Sequence, residues 1–474
     1  MILLLSLAAT IFGSTSAQQV RVRYASANYQ GPFTGQVVLY LTRTNEAEPR
    51  TTIEGPCYRL SVTRVAPGQP IVFTHRAIAY PTPLTKLERG AYFVQAVWDR
   101  NLGGRNIGTS LGNLYSRPCQ MIFTADTNQV FELTCDQLIP APGFTDSQFV
   151  QELRVSSKLL GAFHHQSQTV DGAVILPAQY HNEPKRHFPV LFVIGGYGAD
   201  YHHYSKENND TLPATPIDTI ACIRVYLDGN CPLGHSVYAN SDNNGPWADA
   251  LVKEFIPALA KNYRCTGCYL LKGHSSGGWA GLWLQIHYPS VFAGCTASAP
   301  DYVDFHSINQ RDYYQEVARV NQGKTVPPIV KHPHIEDVLY RGEQDRSFDA
   351  VYGPKGRNGQ PISIQKGPSG VINPAVFSYW QRYDISRYLT TNVSRLKQAL
   401  YGKVRVSVGN QDTYKLNFSV KKLEAALKSQ NTGFVFGYYP GDHYSVMTPQ
   451  YKKDETLFLA HKYHAWLNEH LPKK

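Results

Sequence analysis

The pentapeptide Gly273-His274-Ser275-Ser276-Gly277 constrains the fold of this chain more than any other stretch. It fits Gly-x-Ser-x-Gly, and its flanks give it a setting. The apolar run 268–272 before it is short enough for a buried strand. The run 278–287 after it reads as a helix, ended by Tyr288-Pro289. Strand, tight turn and helix in that order form a nucleophile elbow, whose flanking glycines let strand and helix close around a strained turn. Such a turn lifts Ser275 Oγ out of the sheet, and the N-terminus of the new helix faces it. The competing reading is an inert turn of small residues, which the flanking strand and helix disfavour.

A nucleophilic serine needs a base, and the base needs an orienting acid. Residues 404–408 read as a strand followed by Gly409-Asn410-Gln411-Asp412, and residues 433–439 as another, followed by Pro440-Gly441-Asp442-His443. An acid and a histidine therefore each sit just past a strand end, where open α/β sheets place their ligands. A helix over 415–429 fits between them. The chain order Ser275, Asp412, His443 is the one such hydrolases use. Singly, Asp412 reads equally well as a turn aspartate and His443 as a surface histidine; their order and their strands favour a pair. Asp301 and Asp304 are rivals for the acid, since they follow a strand-like run at 293–299. A tetrahedral intermediate also needs backbone donors. The amide of Ser276 is one candidate. The other is expected from the loop Gly195-Gly196-Tyr197-Gly198 after an apolar strand at 189–194; the alternative there is an ordinary glycine turn.

Further segments carry a family resemblance: Val174-Ile175-Leu176-Pro177 with Tyr180, Val225-Tyr226-Leu227-Asp228-Gly229, Gly245-Pro246-Trp247, and Phe255-Ile256-Pro257. Together with the elbow and the Asp412 and His443 segments, they make residues from about 156 to the C-terminus resemble the putative esterase family, which includes esterase D and the enterochelin and feruloyl esterases. The resemblance implies an α/β-hydrolase domain with Ser275 as nucleophile, Asp412 as acid, His443 as base, oxyanion donors at Tyr197 and Ser276, and no cofactor or metal. Two departures stand out. The first oxyanion loop lacks the His-Gly pair of many relatives. Residues 301–403 form a long insertion between two sheet strands, expected to be a lid or wall, so substrate choice does not transfer.

The N-terminal residues differ in pattern. Short alternating runs at 20–24, 36–41 and 92–97, separated by Gly, Pro and Asn turns, predict a β-sandwich-like domain over 18–140. A linker at 141–155 and an α/β domain over 156–474 follow. Residues 2–12 are an apolar core ahead of Thr15-Ser16-Ala17, the pattern of a signal peptide over 1–17 cleaved after Ala17, although no Lys or Arg precedes the core. An exported chain with eight cysteines is expected to carry at least three disulfides. Cys265 and Cys268 have redox-motif spacing, but they read as structural. His202-His203 and His332-Pro333-His334 lack a third ligand and read as surface residues. Asn209, Asn392 and Asn417 head glycosylation sequons. The net charge of +10 is spread along the chain with no basic block, so nucleic acid is not an expected partner. No run is long enough for an integral membrane segment. The expected function is a secreted serine esterase acting on a small-molecule or carbohydrate-linked ester. Two alternatives remain: an acyltransferase on the same machinery, or a non-catalytic binding or adhesion protein on a hydrolase fold.

Overall fold

The computed structural model describes residues 18–470, apart from 53–54, 127, 207–211, 327–334, 340–343 and 367–369, and the side chains of 336 and 337. The expected signal peptide, His332, His334 and the Asn209 sequon lie outside the described residues. The chain forms two compact units. The first comprises residues up to 102 together with 106–141 and 333–340; the second comprises 103–105, 142–332 and 341–474. Two short segments thus depart from a division at residue 140.

The first unit is β-rich. Its strands are β1 (Gln19–Tyr24), β2 (Phe33–Thr42), β3 (Cys57–Val65), β4 (Ile71–Phe73), β5 (Ile78–Tyr80), β6 (Gly90–Asp99), β7 (Leu114–Ser116), β8 (Cys119–Phe123) and β9 (Val130–Leu138). They form one hydrogen-bonded sheet in the order β4-β1-β9-β7-β6-β2-β3-β5, with β8 on β6. Strands that are neighbours lie roughly 5 Å apart. Yet Tyr24 of β1 and Trp98 of β6, three steps apart in that order, pack with ring centroids 4.8 Å apart. The sheet therefore folds over on its own apolar face, and the period-two alternation supplies that face. The pairing departs from a purely antiparallel sandwich at one place, because β1 runs parallel to β9.

The second unit holds the sheet that positions the site. Its strands are β10 (Val150–Ser156), β11 (Thr169–Ile175), β12 (Phe188–Ile194), β13 (Ile223–Leu227), β14 (Cys265–His274), β15 (Phe292–Ser298), β16 (Val404–Gly409) and β17 (Val435–Tyr439). They pair in the order β10-β11-β13-β12-β14-β15-β16-β17. Only β11 opposes its neighbours; every pair from β13 to β17 is parallel. This crossed-over, mostly parallel sheet between helices is the α/β-hydrolase architecture. Strands such as Phe188–Ile194, buried at all but one position, are apolar because helices cover both faces. Four helices matter below: α1 (Ser276–His287), α2 (Gln344–Tyr352), α3 (Leu416–Leu427) and α4 (Pro449–His470). Eleven of the twelve residues of α1 are buried, as expected of a helix that is apolar all round. Among the described residues no helix is long and apolar enough to cross a membrane.

All eight cysteines are free thiols, which corrects the expectation of at least three disulfides. Cys57, Cys135, Cys222, Cys231, Cys268 and Cys295 are buried and serve as small apolar core residues. Burial pushes the Cys265 and Cys268 thiols up to about 12, so they are poor nucleophiles at neutral pH. Both lie within β14 rather than before it. The Asn417 sequon is also corrected: Asn417 is buried and its amide donates to the Asn410 carbonyl at 3.0 Å, so no glycan fits the folded chain there. His202 is not an open surface histidine. Its Nδ1 lies 2.7 Å from Asp200 Oδ1, and its ring stacks on Tyr201 at 4.1 Å.

Candidate active site

Because β12 and β14–β17 are parallel, their C-terminal ends share one edge of the sheet. Their register brings those ends level: Ile194 pairs with Gly273, His274 with Ser298, Ser298 with Ser407 and Gly409 with Tyr439. The next residues of each strand therefore lie along one edge. They include the Gly195–Gly198 loop after β12, Ser275 after β14, Asp301 after β15, Asp412 after β16 and His443 after β17.

Ser275 sits between β14 and α1 with φ 57° and ψ −125°, a conformation that costs a non-glycine residue of order 1–3 kcal/mol. The flanking glycines make the turn possible. A Cβ on Gly273 would lie 2.0 Å from the Gly277 carbonyl oxygen, and one on Gly277 would lie 2.1 Å from that of Ile194. Ser275 N–H donates to the Ser298 carbonyl at 2.9 Å, and Trp279 N–H donates to the Ser275 carbonyl at 3.0 Å. The serine is thus held from both sides, half-buried at the start of α1.

Asp412 is fully buried and His443 is 3% exposed. Asp412 Oδ1 accepts the amides of Tyr414 at 2.9 Å and Leu416 at 3.2 Å, while Oδ2 accepts His443 Nδ1 at 2.8 Å. An ionised carboxylate can only accept, so Nδ1 carries the proton and Nε2 presents its lone pair. The ring lies 4.8 Å edge-on from Tyr414 and 5.4 Å from Tyr444, whose hydroxyls meet at 2.5 Å. On another side His274 lies 4.6 Å away; burial pushes its pKa down to about 4, so it stays neutral.

The two rivals for the acid go elsewhere. Asp304 caps its own turn, accepting His306 N–H at 2.9 Å. Asp301 turns to the serines: Ser276 Oγ donates to its Oδ2 at 2.6 Å, and Ser275 Oγ lies 3.5 Å from its Oδ1.

The candidate oxyanion loop lies against the serine. A Cβ on Gly196 would meet Ser275 Cβ at 3.4 Å. Three residues that drew no notice in the sequence support this region. His235 Nε2 donates to the Gly195 carbonyl at 3.2 Å, while its Nδ1 accepts Val237 N–H at 2.8 Å; burial drives its pKa down to about 4, which keeps the ring neutral in that tautomer. The Arg105 guanidinium lies 4.8 Å over the Tyr197 ring and donates to its hydroxyl at 3.3 Å. Gln344, at the start of α2 inside the long insertion, donates to Ser276 Oγ at 3.0 Å. No local motif announces any of them, because each reaches the site from a distant segment. A cavity of about 240 Å³ opens beside Asp301, lined by Tyr302, Asn309, Gln344, Phe348 and Tyr414 among others. The insertion therefore forms part of the wall. Among the described residues no cluster of three or more His, Cys, Asp or Glu could hold a metal ion.

A doubly constrained serine after the central strand of an α/β-hydrolase sheet, with an acid–histidine pair two and three strands further on, defines a hydrolase class of site. The chain belongs to the family described as "Putative esterase", whose model matches residues 166–466, and the class is that of hydrolases acting on esters. No curated protein sequence matches the chain. Solved structures similar to it include the fluorophosphonate-binding serine hydrolase FphF of Staphylococcus aureus, at 16% identity over 67% of this chain and 99% of that one, TM-score 0.39. An S-formylglutathione hydrolase from Agrobacterium tumefaciens is similar at 15% identity over 67% and 97%, TM-score 0.41. A ferulic acid esterase from Anaeromyces mucronatus is similar at 15% over 64% and 89%, TM-score 0.34.

Proposed function

We propose that the chain is a secreted serine esterase that hydrolyses a small-molecule or carbohydrate-linked carboxylic ester through an acyl-enzyme. The observation that carries this reading is the strained Ser275 at the head of α1, together with the buried Asp412–His443 hydrogen bond of 2.8 Å at the same sheet edge. In this reading His443 Nε2 takes the Ser275 proton as Oγ attacks the ester carbonyl. Asp412 holds the imidazole tautomer and stabilises the imidazolium. The amides of Ser276 and Tyr197 receive the oxyanion, and the first lies at a helix N-terminus where the dipole favours negative charge. His443 then returns the proton to the departing alcohol and activates water to release the acid.

An organophosphate probe tests the nucleophile. Peptide mapping is expected to find the label on Ser275 alone, with Ser276 as the built-in control. Label on Ser276, or a chain that stays unlabelled while folded and active on an aryl ester, would overturn the assignment. Export is proposed from the apolar leader over 1–17. N-terminal sequencing of secreted material is expected to read from Gln18; an intact Met1 on the active protein would refute it.

A further inference from the structure

We infer that Asp301 is a positioning residue, whose carboxylate clamps the Ser276 side chain and Gln344 of the insertion and so holds the oxyanion end of the elbow in register with Ser275. The inference rests on the proposed nucleophile and goes beyond it, because neither Asp301 nor Gln344 belongs to the Ser–His–Asp constellation.

Asp301 grips the elbow twice. Its backbone N–H donates to the Ser275 carbonyl at 3.3 Å, and its carboxylate accepts Ser276 Oγ at 2.6 Å. Gln344 Nε2 closes the ring, 3.1 Å from each carboxylate oxygen and 3.0 Å from Ser276 Oγ. Among the described residues, the side chains that bond this carboxylate are two serine hydroxyls and one amide NH₂, all placed as donors. Such surroundings favour the acceptor-only, ionised form. Protonating Asp301 turns one serine hydroxyl into an acceptor or breaks a contact, and so changes how Ser276 is held. The ionised form, however, has no arginine or lysine as a partner among the described residues, and Asp301 is only 3% exposed. Burial pushes its pKa up to about 6, with the bonds from Ser276 and Gln344 and the charge of His443 pulling the other way.

The other titratable groups facing it are Tyr302 beside it, Asp345 and Tyr352 from α2, and Tyr414 after β16. Burial raises all three tyrosines except Tyr414, where the hydrogen bond to Tyr444 is the largest cause; they stay neutral over the working range. Asp301 therefore changes charge between about pH 5 and 7, and Gln344 favours the charged form.

Functional and merely structural roles predict opposite signs for stability. The folded pKa of Asp301 lies above its unfolded value of 3.8. Its contribution to stability is thus complete below the unfolded pKa and is lost as pH rises through about 6. Asp301→Asn removes that cost, so its Tm at about pH 8 is expected to equal or exceed the parent's. Its kcat on a small aryl ester is expected to fall by roughly tenfold to a hundredfold, with KM nearly unchanged, because misplacing one oxyanion donor costs less than deleting it. In Gln344→Leu the loss of the donor favours the protonated acid, so the acid limb of kcat should move to higher pH. In the double variant with Asp301→Asn that shift should vanish. The experiment is the kcat and KM profile from about pH 4.5 to 9 for the parent and these three variants, with Tm alongside. An Asp301→Asn enzyme with parental kcat, or one that loses Tm and activity together, overturns the inference; so does an unmoved acid limb in Gln344→Leu. Ser275→Ala separates the two claims. If it is inactive while Asp301→Asn is fully active, only the clamp fails; if Ser275→Ala is active, the proposed mechanism fails.

Discussion

Replacing Ser275 or His443 by alanine is expected to lower kcat by on the order of 10⁴–10⁶, with the fold intact. The size follows from what each removes. In the proposed mechanism no acyl-enzyme forms without Ser275 Oγ. Without the imidazole the hydroxyl loses its proposed base; Asp301, 3.5 Å from Ser275 Oγ, is already bonded by Ser276 and Gln344. The two losses should not add, because nucleophile and base act in one step. Asp412→Ala should cost less than either, as the base survives without its orienter. Asp304→Ala should leave kcat within about threefold, because Asp304 only caps a turn. Steady-state kinetics on an aryl ester, with circular dichroism to verify folding, decides the matter. Full activity in folded Ser275→Ala would remove the mechanism. A greater loss at Asp304 than at Asp412 would reassign the acid.

The second large effect concerns the backbone. Gly277→Ala should destabilise the protein by about 3 kcal/mol or more and abolish activity even in molecules that fold. The added Cβ would lie 2.1 Å from the Ile194 carbonyl oxygen and 2.6 Å from that of Gly195. Both belong to backbone, not to the far end of a flexible side chain, so α1 must move away from β12. That movement separates the Ser276 amide from the Gly195–Gly198 loop. Denaturant unfolding and organophosphate labelling would register the two consequences separately. A Gly277→Ala protein of parental stability would show that the elbow is looser than its contacts imply. Gly323→Ala is the contrasting control. Nothing lies within 4 Å of its Cβ position, and its φ of 66° carries only backbone strain.

Local sequence revealed the parts of this site that local chemistry controls. Gly273 and Gly277 are legible because only glycine tolerates a carbonyl at 2 Å, and this requirement leaves a five-residue mark. Asp412 and His443 are legible because each follows a run of strand-forming residues, and parallel strands must end at one edge. The predicted helices over 278–287 and 415–429 correspond to α1 and α3 within a few residues. The free thiols were not legible. Counting cysteines carries no information about whether two of them meet; Cys265 and Cys268 share β14, and six of the eight are buried core residues. Asn417 failed as a sequon for the same reason, since Asn-x-Ser says nothing about burial.

The sequence by itself determined the fold class of the second unit, the strand–turn–helix around Ser275 and the order in which Asp412 and His443 follow it, because strand period, glycine sterics and chain order are local properties. Only the tertiary structure decided between Asp301, Asp304 and Asp412 as the partner of His443. All three follow strands, so their sequence settings are alike. The difference is that β16 lies beside β17 while Asp301, at the end of β15, turns onto the serines. Gln344, Arg105 and His235 were likewise invisible before folding. Each contributes through a single long-range hydrogen bond or stacked ring, and a contact across 40 or more residues depends on the packing of every element between its ends.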